Sequence, residues 1–191
     1  MQIIAGLYKN HRLSCPPGNL TRPTSAKLRE SIFNSCSYLV EGCHFLDLFA
    51  GSGAMGLEAL SRGAVHASFV EINRLAARFI KENICKLKVE KQSEMICGSA
   101  LLWIEKLSRA GRKFEIIFAD PPYQTFDPQA KDKRLYSEQI IMAVDHCHLL
   151  GENGMLIVEE DSRHPPKVTP NHLKLIKSRQ FGHSLVHFYT K

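Results

Sequence analysis

Residues 44–62, HFLDLFAGSGAMGLEALSR, constrain the fold most: an apolar strand runs without a spacer into Gly51, Gly53 and Gly56, which open a helix that Gly63 ends. Glycines at such a junction permit a tight turn and let backbone N–H groups approach a ligand with no Cβ in the way. Glu71 follows twenty residues after Gly51, at the close of a second apolar run, ASFVEI. A carboxylate in that place is suited to accept two ribose hydroxyls.

The same alternation continues. SEMIC, FEIIFA and GMLIVEE read as third, fourth and fifth strands. Between them lie helical stripes of Ala76, Ile80, Ile84 and Leu87, of Leu101, Ile104 and Leu107 ending at Gly111, and of Ile140, Ile141 and Val144 within 135–149. Strands separated by helices of this length imply crossovers, hence a mostly parallel sheet covered on both faces. HLKLIKS and HSLVHFY are separated only by RQFG, too short for a crossover, so they are expected to pair as an antiparallel terminal hairpin. Ahead of the first strand, residues 2–14 read as a hairpin and Pro16, Pro17 and Gly18 as a loop. Thr24 is the expected N-cap of a helix carrying Leu28, Ile32, Cys36 and Leu39. The expectation is an α/β, Rossmann-like domain over 1–191, with a seven-stranded mostly parallel sheet, helices on both faces and a C-terminal antiparallel hairpin. Residues 1–42 form a basic extension with a short hairpin and helix, and 43–191 the catalytic core.

With 44% hydrophobic and 23% charged residues the chain has an ordinary globular composition. No apolar run is long enough to cross a bilayer and MQIIAGLYKN lacks a secretory apolar core, so a cytoplasmic location is expected. Six cysteines without a CxxC pair point to free thiols. His146 and His148 fall in a helical pattern, two positions apart and so on different faces, and no metal site is expected. The net charge of +6 is unevenly spread. Lys9, Arg12, Arg22, Lys27 and Arg29 precede the first acid, Glu30, and the stretch after Asp161 is again basic, which favours a polyanionic partner.

GxGxxG with a trailing acid also suits a dinucleotide, so a nicotinamide-dependent oxidoreductase is a rival reading. The chain leaves no room for a separate substrate domain, and its glycine loop lies behind a basic leader. LDLFAGSG, with an acid inside the strand, resembles the S-adenosylmethionine loop of class I methyltransferases. That resemblance implies that Asp47 helps hold the methionine end, that Phe49, Ala50, Gly51 and Gly53 pass beside the cofactor, and that Glu71 binds the ribose with Ile72 next to it. It also places Ser99 and Ala100 near the adenine, although Ser stands where many such enzymes have Asp or Asn. The residues alone also allow Asp47 to be a strand-end acid that caps the glycine turn.

The fourth strand ends in FADPPY. Pro-Pro stops a ladder, and an acid favours a turn. The same residues suit a planar amine. An exocyclic nucleobase amine is a poor nucleophile, because its lone pair is delocalised, and needs its N–H bonds held by acceptors. Asp120 supplies a carboxylate and Pro121 a carbonyl, stiffened by Pro122. Tyr123 offers a stacking face, worth roughly 1–3 kcal/mol per base in comparable sites. Positioning rather than a strong base carries such a transfer, since the amine loses its proton readily once methylated.

Asp-Pro-Pro-Tyr is similar to the signature of amino-group N-methyltransferases. The pieces IIAGLYKNHRL, RPTSAKLRESIFN, LDLFAGSGAMGLEALSRGA, FVEIN and FADPPY, in this order, resemble the bacterial RsmD family. The resemblance implies S-adenosyl-L-methionine-dependent methylation of the N2 amine of a guanine in 16S rRNA, on the small ribosomal subunit or an assembly intermediate. The amine would meet Asp120, Pro121, Pro122 and Tyr123; Asp120 would also border the cofactor. Lys9, Arg12, Arg22, Thr24 and Arg29 are the expected RNA contacts, with a local ion-pair network of Arg22, Arg29 and Glu30 as the competing account. A DNA adenine or cytosine amine methyltransferase is the second reading within this chemistry, disfavoured by the lack of an added target-recognition segment.

Overall fold

The computed structural model describes residues 1–16, 24–122 and 134–191. The chain divides into two compact units, Met1–Ser99 and Ala100–Lys191.

In the first unit, β1 (His44–Leu48), β2 (His66–Glu71) and β3 (Ser93–Cys97) pair in parallel, with β2 in the middle. Four of the five β1 residues are buried, as a strand covered on both faces requires. The first crossover is α3 (Ala54–Ser61), in which every residue is buried. The second is α4 (Arg74–Leu87), started by Asn73, whose Oδ1 accepts from the Leu75 and Ala76 N–H groups at 2.9 and 3.1 Å. Its buried stripe contains the predicted Ala76, Ile80, Ile84 and Leu87, and also Asn83.

The leader differs from the expected hairpin of strands. It reverses with a single antiparallel bridge, Gln2 to Arg12, because α3 takes the N–H groups a ladder would use. The Ile4 and Ala5 N–H groups donate to the two oxygens of Glu58 at 2.8 and 3.0 Å, and Tyr8 donates to Ser61 Oγ at 2.9 Å. The helix that follows, α1 (Ala26–Ser35), is capped by Ser25 rather than Thr24, since Ser25 Oγ accepts from Leu28 N–H at 3.2 Å. It gives way at Cys36 to the short α2 (Ser37–Val40).

The second unit contains α5 (Ala100–Arg109), β4 (Phe114–Ala119), α6 (Tyr136–His146), β5 (Leu150–Asp161), β6 (Lys174–Phe181) and β7 (Ser184–Thr190). β4 and β5 are parallel, β7 lies antiparallel to β5, and β6 closes that edge against β7. The terminal hairpin is tighter than expected: Arg179, Gln180 and Phe181 extend β6, leaving Gly182 and His183 as the turn, with Gly182 at φ +60°. Asp145, near the end of α6, accepts the N–H groups of Asn171, His172 and Leu173 at 2.8–2.9 Å and so anchors the chain entering β6. The seven strands make the mostly parallel sheet with an antiparallel C-terminal hairpin. Among the described residues no helix is long and apolar enough to cross a membrane, and no group of three or more His, Cys, Asp or Glu could hold a metal ion. The six cysteines are free thiols.

Candidate active site

The β1–α3 turn is built from left-handed backbone. Phe49, Gly51 and Gly53 have φ of 60°, 56° and 77°. Two of the three are glycines, for which this is inexpensive, whereas a bulky residue there costs on the order of 1–3 kcal/mol. The turn is held by Ala50 N–H to the Val70 carbonyl at 3.0 Å and Gly53 N–H to the Ala50 carbonyl at 2.7 Å. The third glycine of the motif serves packing. A Cβ on Gly56 would lie 2.3 Å from Cε1 of Phe69 on β2.

Two carboxylates brace this turn. Asp47 is 1% exposed, and its Oδ2 accepts the Gly56 N–H at 2.9 Å. Burial, with Glu71 adding to it, pushes the Asp47 pKa well above the ordinary carboxylate value, against the opposing Gly56 hydrogen bond. Glu71 accepts Gly51 N–H on Oε2 and Asn73 N–H on Oε1, both at 2.8 Å. It therefore ties the glycine loop to the start of α4, and each oxygen retains a second acceptor position. Beside it Ile72 is 67% exposed, an apolar surface next to the acid. Gly98 N–H donates to the Glu71 carbonyl at 3.0 Å, bringing the half-buried Ser99 to the same end of β2 and β3. The structure thus gathers Asp47, Phe49, Ala50, Gly51, Gly53, Glu71, Ile72 and Ser99 around one strand-end turn. Ala100 is buried at the start of α5.

Sequence reasoning missed Asn83. It is 0% exposed on α4, and its Nδ2 donates to the carbonyls of Ser52 at 3.2 Å and Ser14 at 2.9 Å, while Oδ1 accepts the Ser14 N–H at 2.8 Å. The signal was a polar residue inside an apolar stripe, three positions from Ile80 and four from Leu87.

Of the leader residues, Arg12, Thr24 and Arg29 line one cleft of about 790 Å³ with Met1, Cys15 and Ser25. Met1 Sδ lies 3.6 Å from Ser52 Oγ in the glycine loop. Arg29 is 2% exposed and is spent on the fold, donating from Nη1 to the Thr24 carbonyl and from Nη2 to the Gln2 carbonyl, both at 2.8 Å. Lys9 is exposed on the leader's turn, and Arg22 lies outside the described residues.

In the second unit Asp120 directly follows the last residue of β4 and is half-buried; Pro121 is buried and Pro122 exposed. Tyr123 lies outside the described residues.

A glycine turn between strand and helix, an acid closing the next strand, and a sheet that ends in an antiparallel hairpin define the class I S-adenosylmethionine-dependent methyltransferase fold. The solved structure of yhhF, a proposed methyltransferase of Escherichia coli, superposes with a TM-score of 0.81 at 27% identity, covering 100% of this chain and 97% of that one. The protein SMU.776, a proposed methyltransferase solved with S-adenosylhomocysteine, shares the fold with a TM-score of 0.70 at 14% identity, over 86% of this chain and 48% of its own. Within this class the chain belongs to the RsmD family, whose model, described as conserved hypothetical protein 95, matches residues 1–190. The proposed rRNA methyltransferase YlbH of Bacillus subtilis is 32% identical, covering 100% of this chain and 99% of its own. The ribosomal RNA small subunit methyltransferase D of Haemophilus influenzae is 30% identical, over 95% of this chain and 89% of its own.

Proposed function

We propose that the protein transfers a methyl group from S-adenosyl-L-methionine to the N2 amine of a guanine in small-subunit ribosomal RNA. The observation that carries this reading is the combination of near full-length similarity to small-subunit rRNA methyltransferases with Asp-Pro-Pro at the carboxyl end of β4.

The donor set of the glycine turn fits the cofactor. Glu71 retains acceptor positions for ribose hydroxyls, the exposed face of Ile72 offers an apolar contact for a purine, and Ser99 supplies a hydroxyl. Asp47 acts through the backbone, holding Gly56 and with it the start of α3. When bound, the cofactor supplies an electrophilic methyl group on a sulfonium. The part of Asp120 and of the Pro121 carbonyl is to accept the two N–H bonds of the target amine and aim its lone pair, with Tyr123 stacked on the base. The proton leaves the cationic methylated nitrogen afterwards and needs no group with an unusual pKa. Lys9 and Arg12, both exposed, and the Arg12–Thr24 cleft give the leader its part in holding rRNA.

The test supplies radiolabelled S-adenosylmethionine with small ribosomal subunits, naked 16S rRNA or duplex DNA. Label is expected in 16S rRNA, at one guanine after nuclease digestion. Label confined to DNA, or none on any substrate, overturns the reading.

A further inference from the structure

We propose that the turn at the tip of the leader, residues 7–11, is a stacking site for an unpaired base of the rRNA substrate, one helix length from the glycine turn. It rests on the rRNA reading above and extends the leader's part beyond phosphate contacts.

The leader lies along α3. At one end Met1 Sδ is 3.6 Å from Ser52 Oγ, in the turn that precedes the helix. Midway, Ile4 and Ala5 reach Glu58. At the other end Leu7 N–H donates to the Ser61 carbonyl at 2.8 Å and Tyr8 N–H to Ser61 Oγ at 2.9 Å. The helix between these ends, Ala54–Ser61, has eight residues and sets the tip about 12 Å from the glycine turn. A base held at the tip is therefore a neighbour of the target guanine on the substrate, not the target itself.

The tip is fixed before any ligand arrives. Gly6, at φ +83°, packs so closely on α3 that a Cβ would lie 1.8 Å from the Ser61 carbonyl oxygen. Lys9 N–H donates to the Gly6 carbonyl at 3.2 Å and His11 N–H to the Tyr8 carbonyl at 3.1 Å, while Asn10 at φ +68° turns the chain back. The His11 ring is also held, since its Nδ1 lies 2.9 Å from the Tyr8 carbonyl, which can only accept. It stands at 90° to the Tyr8 ring, with centroids 6.1 Å apart. Two perpendicular rings make a corner in which a base stacks on one face and meets the edge of the other. Rings already held in place lose little freedom on binding.

What the tip displays suits RNA. Lys9, Asn10 and His11 are exposed and Tyr8 is half-buried. Leu7 is 78% exposed although its backbone is tied to Ser61, so an apolar side chain is held out into water on a fixed support. Closing the turn accounts for the Tyr8–His11 contact but gives Leu7 no task, since turns of that kind are served by polar residues. Lys9 and Arg12 flank the rings, and no acid occurs before Glu30. A one-signed rim favours a polyanion over a protein partner, whose contact surface would be depleted of charge. Rings set among cations are the arrangement by which single-stranded nucleic acid is gripped.

The experiment compares wild type with His11→Ala, Leu7→Ser, His11→Phe and Tyr38→Ser, the last removing an aromatic side chain that is 74% exposed elsewhere in the same unit. Binding to a 16S rRNA fragment is measured across a salt series, with S-adenosylhomocysteine affinity and Tm as controls for folding. RNA affinity of His11→Ala should fall about tenfold, and that of Leu7→Ser by a smaller factor. The slope of log K against log salt should stay at the wild-type value, because stacking releases no counterions. His11→Phe keeps a ring and should recover affinity to within about threefold of wild type, and Tyr38→Ser should match wild type. Wild-type affinity in both His11→Ala and Leu7→Ser overturns the proposal. So does a His11→Phe variant as weak as His11→Ala, which would assign His11 to holding the turn through Nδ1. Loss of binding to assembled subunits with naked rRNA affinity intact would overturn it in favour of a protein partner. A wild-type protein that neither binds nor methylates rRNA would remove the rRNA reading itself.

Discussion

Asn83 on α4 donates its side-chain N–H to the Ser52 carbonyl inside the glycine loop, 31 positions away, while the same amide clasps both backbone groups of Ser14. One buried side chain therefore fastens the leader and the glycine loop to the same helix. Asn83→Leu matches the volume but leaves these backbone groups without partners, which should cost about 2–3 kcal/mol in urea unfolding. Affinity for S-adenosylhomocysteine should fall as well, read by calorimetry. Unchanged affinity in a destabilised variant would show that the loop keeps its shape without Asn83.

Gly56 faces Phe69 too closely for any side chain. Gly56→Ala should destabilise the protein by about 1–3 kcal/mol through overpacking. Shortening the opposing ring with Phe69→Leu in the same chain should recover part of that loss. Purely additive effects in the double variant would argue against a direct clash.

Asp47 has a pKa raised by burial well above its ordinary 3.8. For an acid shifted upward, the stabilisation belongs to the protonated form. It is fully present below the unfolded value and is lost as pH rises through the folded one. Wild type should therefore lose stability from pH 4 upward relative to Asp47→Asn, whose amide oxygen can still accept from Gly56 N–H. Urea midpoints across pH 4–8 measure the difference. Wild type gaining on the variant with rising pH would contradict the assignment.

Asp120→Ala should lower the methyl-transfer rate by about 10²-fold or more, since the amine would lose an acceptor that aims it. Binding of S-adenosylhomocysteine should stay within about twofold. Loss of binding together with transfer would make Asp120 a residue of the fold or of the cofactor site.

Much of the fold was legible because it depends on short-range pattern. The third and fourth strands begin and end where SEMIC and FEIIFA predict, and the α4 stripe carries the four predicted apolar positions. The glycine loop was legible for the same reason, being contiguous from Asp47 to Gly56. Departures occur where one segment answers to a distant one. The leader keeps a single antiparallel bridge rather than a ladder of strands because Glu58 and Ser61 on α3 capture several of its N–H groups. Its helix is capped by Ser25, one position later than the expected Thr24. Arg29 looked like a surface cation in a basic stretch, yet Gln2 and Thr24 draw it inside through their carbonyls.

By itself the sequence determined the element order, the strand–glycine–helix turn, the acid that closes β2 and the basic bias at both ends of the chain. These follow from periodicity, backbone freedom and charge, all local properties. Tertiary structure alone decided that Asn83 ties the leader to the glycine loop and Glu58 ties it to α3, and that the Ile176 bulge turns Lys174 onto the face of Lys177 and Arg179. Such outcomes depend on which buried polar group finds which partner, and on how one strand registers against another. Both are settled only when residues distant in the chain are packed together.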